Sequence, residues 1–197
     1  MSLPEHCLLV PLEKAYRLLN HGPTVLVSSA FAGRSNVMAA AWSMPLDFSP
    51  PKVTVVIDKA TLTRQLVESS GVLALNVPCR AIAAQTLAVG SESALDAPDK
   101  LVRLGVSTFA ASLIEAPLVH GCVAWLECRV LPEPHNQSQY DLFIAEVVAA
   151  WADPRVFSDG HWHFDGAPEE LRSLHYVAGG QFYVTGESLV VQAPEKS

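Results

Sequence analysis

Between Gly33 and Arg64 the chain sets, on either side of one apolar run, the residue types that can hold a flat ring and an anion. Asn36, Met38, Ala39, Ala40, Ala41, Trp42 and Ser43 form a stretch of mostly small residues closed by a large aromatic one, so backbone amides there can approach a ligand closely. Lys59, Thr61, Thr63 and Arg64 follow the strand-like run 53–57 and stand at the start of a helix expected over 62–69. Hydroxyl and cationic donors at a helix start suit an anionic group, which the exposed N–H groups of the first turn also attract. Together the two clusters suggest a nucleotide-like cofactor. Each also has a plainer explanation: Thr is a common helix cap, Arg usually lies in solvent, Asn serves in turns, and Trp is highly buried on average without any ligand.

The elements that must position these residues are strands and hairpins. Residues 24–30 form a continuous apolar and β-branched run, Phe31-Ala32-Gly33 turns the chain into a second strand at 36–43, and 53–57 is a third. A short amphipathic helix at 12–19 precedes them, stopped by Asn20-His21-Gly22-Pro23. The helix at 62–69 turns Leu62, Leu66 and Val67 inward and ends at Gly71, ahead of a buried strand at 72–77. Residues 81–89 and 99–104 have helical composition, the second ended by Gly105. Residues 119–131 and 140–151 form a long antiparallel hairpin around a polar loop at 133–139. The tail holds only short elements: Trp162-His163-Phe164, a helix-like 169–174, and 181–185.

A chain of 197 residues, half of them apolar, buries a sizeable core as one domain spanning 1–197. A net charge of −7 with no basic run argues against a nucleic-acid surface or a polybasic membrane contact. No apolar run reaches the roughly 18 residues a membrane helix needs, and the N-terminus lacks a secretory pattern. The four cysteines, Cys7, Cys79, Cys122 and Cys128, have no C-x-x-C spacing, and Cys122 and Cys128 share parity on one expected strand and so should face the same side. A reduced, cytoplasmic chain is the expectation.

The order Asn36-x-Met38-x-x-x-Trp42-Ser43, Pro50-Pro51, Thr61-x-Thr63 and Ser70-Gly71-Val72-Leu73-Ala74-Leu75-Asn76-Val77-Pro78 resembles the flavin reductase-like family, FMN-binding split β-barrels related to the pyridoxamine-phosphate oxidase fold. The likeness extends through Asp99-Lys100, Leu126-Glu127-Cys128 and Phe143-Ile144-Ala145-Glu146-Val147. It implies a mainly antiparallel split β-barrel with peripheral helices, a homodimer whose interface builds two sites, and FMN as cofactor. It also implies that the FMN phosphate lies at Lys59, Thr61, Thr63 and Arg64, that the ring and ribityl chain lie along 36–43, and that NAD(P)H gives the flavin a hydride. Lys100 is the catalytic candidate, because a reduced flavin carries negative charge near N1 that a cation stabilises.

Other chemistry is thinly represented. His161, His163, His175 and His120 lack carboxylate or thiolate partners at metal-ligand spacing, and no G-x-S-x-G marks a serine nucleophile. Hydride transfer asks the protein for binding and electrostatics rather than a triad. Where similar reductases carry Gly-Asp-His, with the His associated with the pyridine nucleotide, this chain has Gln139-Tyr140-Asp141. The alternatives are therefore a non-catalytic FMN carrier or redox sensor, and a scaffold without flavin. The sequence names neither an electron acceptor nor a partner monooxygenase.

Overall fold

The computed structural model describes residues 4–192. Its first elements are β1 (Leu8–Leu9) and α1 (Leu12–Ala15), the latter continued by a 3-10 turn, Tyr16–Leu18. β2 (Val25–Phe31) and β3 (Arg34–Ala40) make a tight hairpin. Its turn residues Ala32 and Gly33 both have positive φ, 49° and 77°, the geometry that matches the twist of the flanking strands. β4 (Ser43–Phe48) and β5 (Pro51–Val56) form the next hairpin. β4 was not foreseen: its apolar residues Met44, Leu46 and Phe48 alternate outward on the sheet's edge, and Pro45 interrupts the strand signal where an edge tolerates it.

α2 (Leu62–Ser70) starts where the Thr61 side chain accepts from Arg64 N–H, and it ends at Gly71 in the left-handed conformation, as the sequence predicts. β6 (Val72–Pro78) then runs back beside β2. An excursion follows, carrying α3 (Ala83–Ser91), α4 (Lys100–Arg103), β7 (Thr108–Phe109) and β8 (Leu118–Val119). Two buried polar side chains fasten it to the sheet. The Asn76 amide donates to Leu26 O and accepts from Val119 N–H, and the Glu127 carboxylate accepts from Ser112 and Leu113 N–H, from the Ser112 hydroxyl and from the Trp151 indole.

β9 (Cys122–Leu131) and β10 (Leu142–Ala152) form the long hairpin. The segment expected as its polar loop is a helix, α5 (Pro134–Tyr140), opened by a proline and closed by Asp141 at φ 54°. Small hairpins β11 (Phe157–Ser158) with β12 (His161–Trp162) and β13 (Leu174–Ala178) with β14 (Gln181–Val184) complete the described chain. The helix-like stretch after 169 is one 3-10 turn, Glu169–Leu171, before β13.

The large sheet is antiparallel, ordered β3-β2-β6-β9-β10-β5-β4, with β1 on β10. Alternation sends neighbours to opposite faces. Val27, Leu75 and Leu126 join one core with Leu18 and Phe143; Leu26, Ala74 and Trp125 join a second, under the excursion, with Phe109 and Leu118. Strict parity fails where the register shifts, at Val147/Ala149, Pro45/Asp47 and Val77/Pro78. The shift at Val77/Pro78 lets Cys122 join the second core while Cys128 lies in the first, so the two thiols do not share a face.

Candidate functional site

A cleft of about 700 Å³ opens where β3 ends, within the range of roughly 300–1,000 Å³ typical of small-molecule sites. Its floor is Met38, Ala39, Ala40, Ala41 and Trp42, with Val56 beside them. One wall is α3, through Thr86, Leu87, Gly90 and Ser91; the opposite wall is Gln139, Tyr140 and Asp141 with Asp58. The hairpin β13–β14 supplies Tyr176, Val177 and Phe182.

Local sequence explains this shape. Three alanines in succession leave the backbone uncovered, and Gly90 lets α3 lie close on β3, since a Cβ there would stand 3.0 Å from the Ala39 Cβ. Trp42 is no core anchor: it is 72% exposed at the mouth. The stretch Gln139-Tyr140-Asp141, noted for departing from the family pattern, lies in the wall itself.

The expected phosphate cluster divides. Thr61 is occupied as the α2 cap, its hydroxyl donating to Asp58 O. Thr63 is buried and accepts from Asn36 Nδ2 at 2.9 Å. Arg64 is buried under Phe143, and its guanidinium donates to Glu68, Ile57 O, Asp141 and Gln137 O. The bonds to Gln137 O and Asp141 tie α2 to the α5–β10 junction, and the four together commit the guanidinium to the fold, which corrects its expected part. Lys59 is exposed and has no hydrogen-bond or ion-pair partner among the described residues.

Lys100 also needs correction. It is 1% exposed, and its ammonium donates to Val37 O at 3.0 Å and Val89 O at 2.7 Å, behind the cleft rather than in it. It cannot touch a ligand as a catalytic group there. Asn36 and Ser43 flank the floor without lining it.

The residues present fit a flat, heteroatom-rich ligand. Among the described residues, five buried side-chain polar atoms lack a partner, and three of them, Asn36 Oδ1, Ser43 Oγ and Thr86 Oγ1, sit on the elements framing the cleft. Of the three, Thr86 lines the cleft itself. Exposed aromatic rings of Trp42, Tyr140 and Tyr176 surround the mouth. The aromatic hairpin residues were invisible as site residues in the sequence, because nothing local connects them to β3.

A half-buried histidine stands at the root of that hairpin. His21 Nε2 lies 2.8 Å from Ser173 Oγ, and its ring meets Trp162 edge-on at 5.0 Å. Burial, aided by the nearby His175, lowers its pKa from the ordinary 6.5 to about 4. His161 and His163 bond locally to Asp159 O and Ser158, and among the described residues no group of three His, Cys, Asp or Glu could hold a metal. All four cysteines are free. No helix among the described residues is long and apolar enough to cross a membrane.

Comparison with known proteins places this geometry. An FMN-binding domain of a flavin reductases-like enzyme from Shewanella baltica OS155 is 55% identical, with a TM-score of 0.94, over 97% of this chain and 100% of that one. The uncharacterized protein YddH of Escherichia coli (strain K12) is 45% identical over 181 residues, 90% of this chain and 94% of its own. Flavoredoxin of Desulfovibrio vulgaris (Miyazaki F), 24% identical over 86% of this chain and 89% of that one, shares the fold with a TM-score of 0.74. The architecture is thus the antiparallel split barrel, and the family and its FMN-binding relatives support FMN binding. With residues 16–172 matching the family described as flavin reductase like domain, the chain belongs to that family.

Proposed function

We propose that this protein is an FMN-dependent oxidoreductase of the flavin reductase type, acting as one domain and taking electrons from NADH or NADPH. The observation that carries the reading is the cleft: a floor of bare backbone at Ala39–Ala41, framed by unpartnered polar atoms, in a chain 55% identical to an FMN-binding domain. FMN, when held there, would supply the two-electron chemistry of hydride transfer from a reduced nicotinamide. The protein's part is to bind and orient. The small residues of the floor would let the ring approach the backbone, and α3 and β13–β14, which line the cleft beside it, would help exclude water. Lys59, beside Asp58 at the entrance to α2, is the cation that remains for a phosphate.

The same reading includes a homodimer. Trp42, Met44, Leu46 and Phe48 are 72%, 54%, 48% and 65% exposed and stand at every second position along the β4 edge, a stripe that a second subunit would cover. Free cysteines are in keeping with a reducing, cytoplasmic setting.

A second reading, an FMN carrier that does not use nicotinamide, draws on Gln139-Tyr140-Asp141 in the cleft wall where similar reductases have Gly-Asp-His. Anaerobic stopped-flow mixing of the FMN-loaded protein with NADH and with NADPH separates them. Bleaching of the flavin absorbance by either donor is expected; bleaching by neither would favour the carrier.

A further inference from the structure

Lys100 is the one buried lysine among the described residues, and the groups it holds belong to the floor strand and one wall of the cleft. Its ammonium donates to Val37 O of β3 and to Val89 O of α3. The next residue after each carbonyl, Met38 and Gly90, lines the cleft. Burial lowers the proton affinity of the amine, and Glu92, which acts in the opposite sense, is itself paired with Arg103. Two carbonyl oxygens accept from two of the three ammonium donors without cancelling the charge. A cation so placed is shielded from water by the wall it holds together, and its field is screened far less than that of a surface lysine.

We infer that Lys100 is a positioning residue whose charge works through the protein framework: it locks α3 against β3, and its buried cation favours the reduced, anionic form of FMN bound in the cleft that the two elements line. This rests on the FMN reading above. The catalytic contact expected from the sequence is replaced by action at one remove, through the backbone of Val37 and Val89. Removing a neighbouring positive charge destabilises the reduced ligand more than the oxidised one and so makes the midpoint potential more negative.

The test is the midpoint potential of the FMN-loaded protein, by reductive titration, together with FMN affinity by fluorescence quenching, for wild type, Lys100→Met, Lys100→Gln and Lys100→Arg. Met and Gln are expected to lower the ratio of reduced to oxidised FMN affinity about tenfold, a shift of about 30 mV for a two-electron couple. Lys100→Arg keeps the charge and stays nearer the wild-type potential even where its bulk weakens binding. Gln still offers amide donors to the two carbonyls, so it keeps the test alive if Met does not fold. Wild-type potentials in both uncharged variants would overturn the inference, even with weaker FMN binding, because only a structural role would remain. A wild-type chain that takes up no FMN would overturn the functional reading itself, a result seen before any variant is compared.

Discussion

Asn36 and Thr63 meet side chain to side chain: Asn36 Nδ2 donates to Thr63 Oγ1 at 2.9 Å, with both residues buried, and the bond joins the strand beneath the cleft to the helix that follows it. Asn36 Oδ1 has no partner of its own. Thr63→Val, which keeps the shape and removes the acceptor, leaves the whole amide unpaired and is expected to cost about 1–3 kcal/mol. Urea denaturation of the two single variants and the double variant Asn36→Ala/Thr63→Val should give a coupling of about 1 kcal/mol.

Lys59 and Arg64 should separate in ligand titrations. Lys59→Ala is expected to weaken FMN about three- to tenfold while sparing riboflavin, which lacks the phosphate. Arg64→Ala instead strands Asp141 and the Ile57 and Gln137 carbonyls. It should destabilise the fold by about 2–4 kcal/mol and weaken both ligands alike. Equal loss of both ligands with Lys59→Ala would remove the phosphate from this loop.

Gly90→Ala would press a methyl group against Ala39, whose Cβ lies 3.0 Å from the new atom. The expected cost is about 1–3 kcal/mol in thermal unfolding, with weaker FMN binding as α3 lifts from β3. Ala39→Gly in the same chain clears the space and should restore most of the affinity.

Association through the β4 edge predicts that Met44→Lys with Phe48→Glu shifts the protein from dimer to monomer in light scattering at micromolar concentration. Both residues are more than half exposed, so stability of the isolated chain should change by under about 0.5 kcal/mol. A wild-type monomer would count against the dimer outright.

Acid should weaken the fold through His21. Its pKa falls from 6.5 when unfolded to about 4 when folded, so between those values the unfolded chain binds the extra proton. Stability is therefore full above about pH 6.5 and declines as pH falls toward 4, by up to about 3 kcal/mol before solvent screening is discounted. Chemical denaturation across that window should show the slope in wild type and a flatter one in His21→Gln.

What the sequence disclosed follows from how local each feature is. The Ala32-Gly33 turn, the Thr61 cap and the Gly71 terminus depend on residues a few positions apart and were legible. α5 was not, because Pro-His-Asn-Gln-Ser-Gln-Tyr buries none of its residues and so shows no apolar period. β4 escaped because its apolar side faces outward. At the site, the bare backbone of Ala39–Ala41 could be read from side-chain size alone. The work of Arg64 could not, since its partners Gln137 and Asp141 lie 73 and 77 residues further along. Lys100 was misjudged for the same reason: Val37 is 63 residues away.

The hairpin β13–β14 begins at Leu174, just past the stretch 16–172 that the family shares, yet Tyr176, Val177 and Phe182 form part of the cleft. It leans on the barrel through a few polar bonds, Thr24 N–H to Leu174 O and Tyr176 N–H to Thr24 Oγ1 among them. The family-matched stretch thus supplies the floor and both side walls of the cleft, and a separate hairpin closes the remaining side with three residues. Exchanging the rings of Tyr176 and Phe182 would reshape that side of the cleft while leaving the strand order of the large sheet untouched.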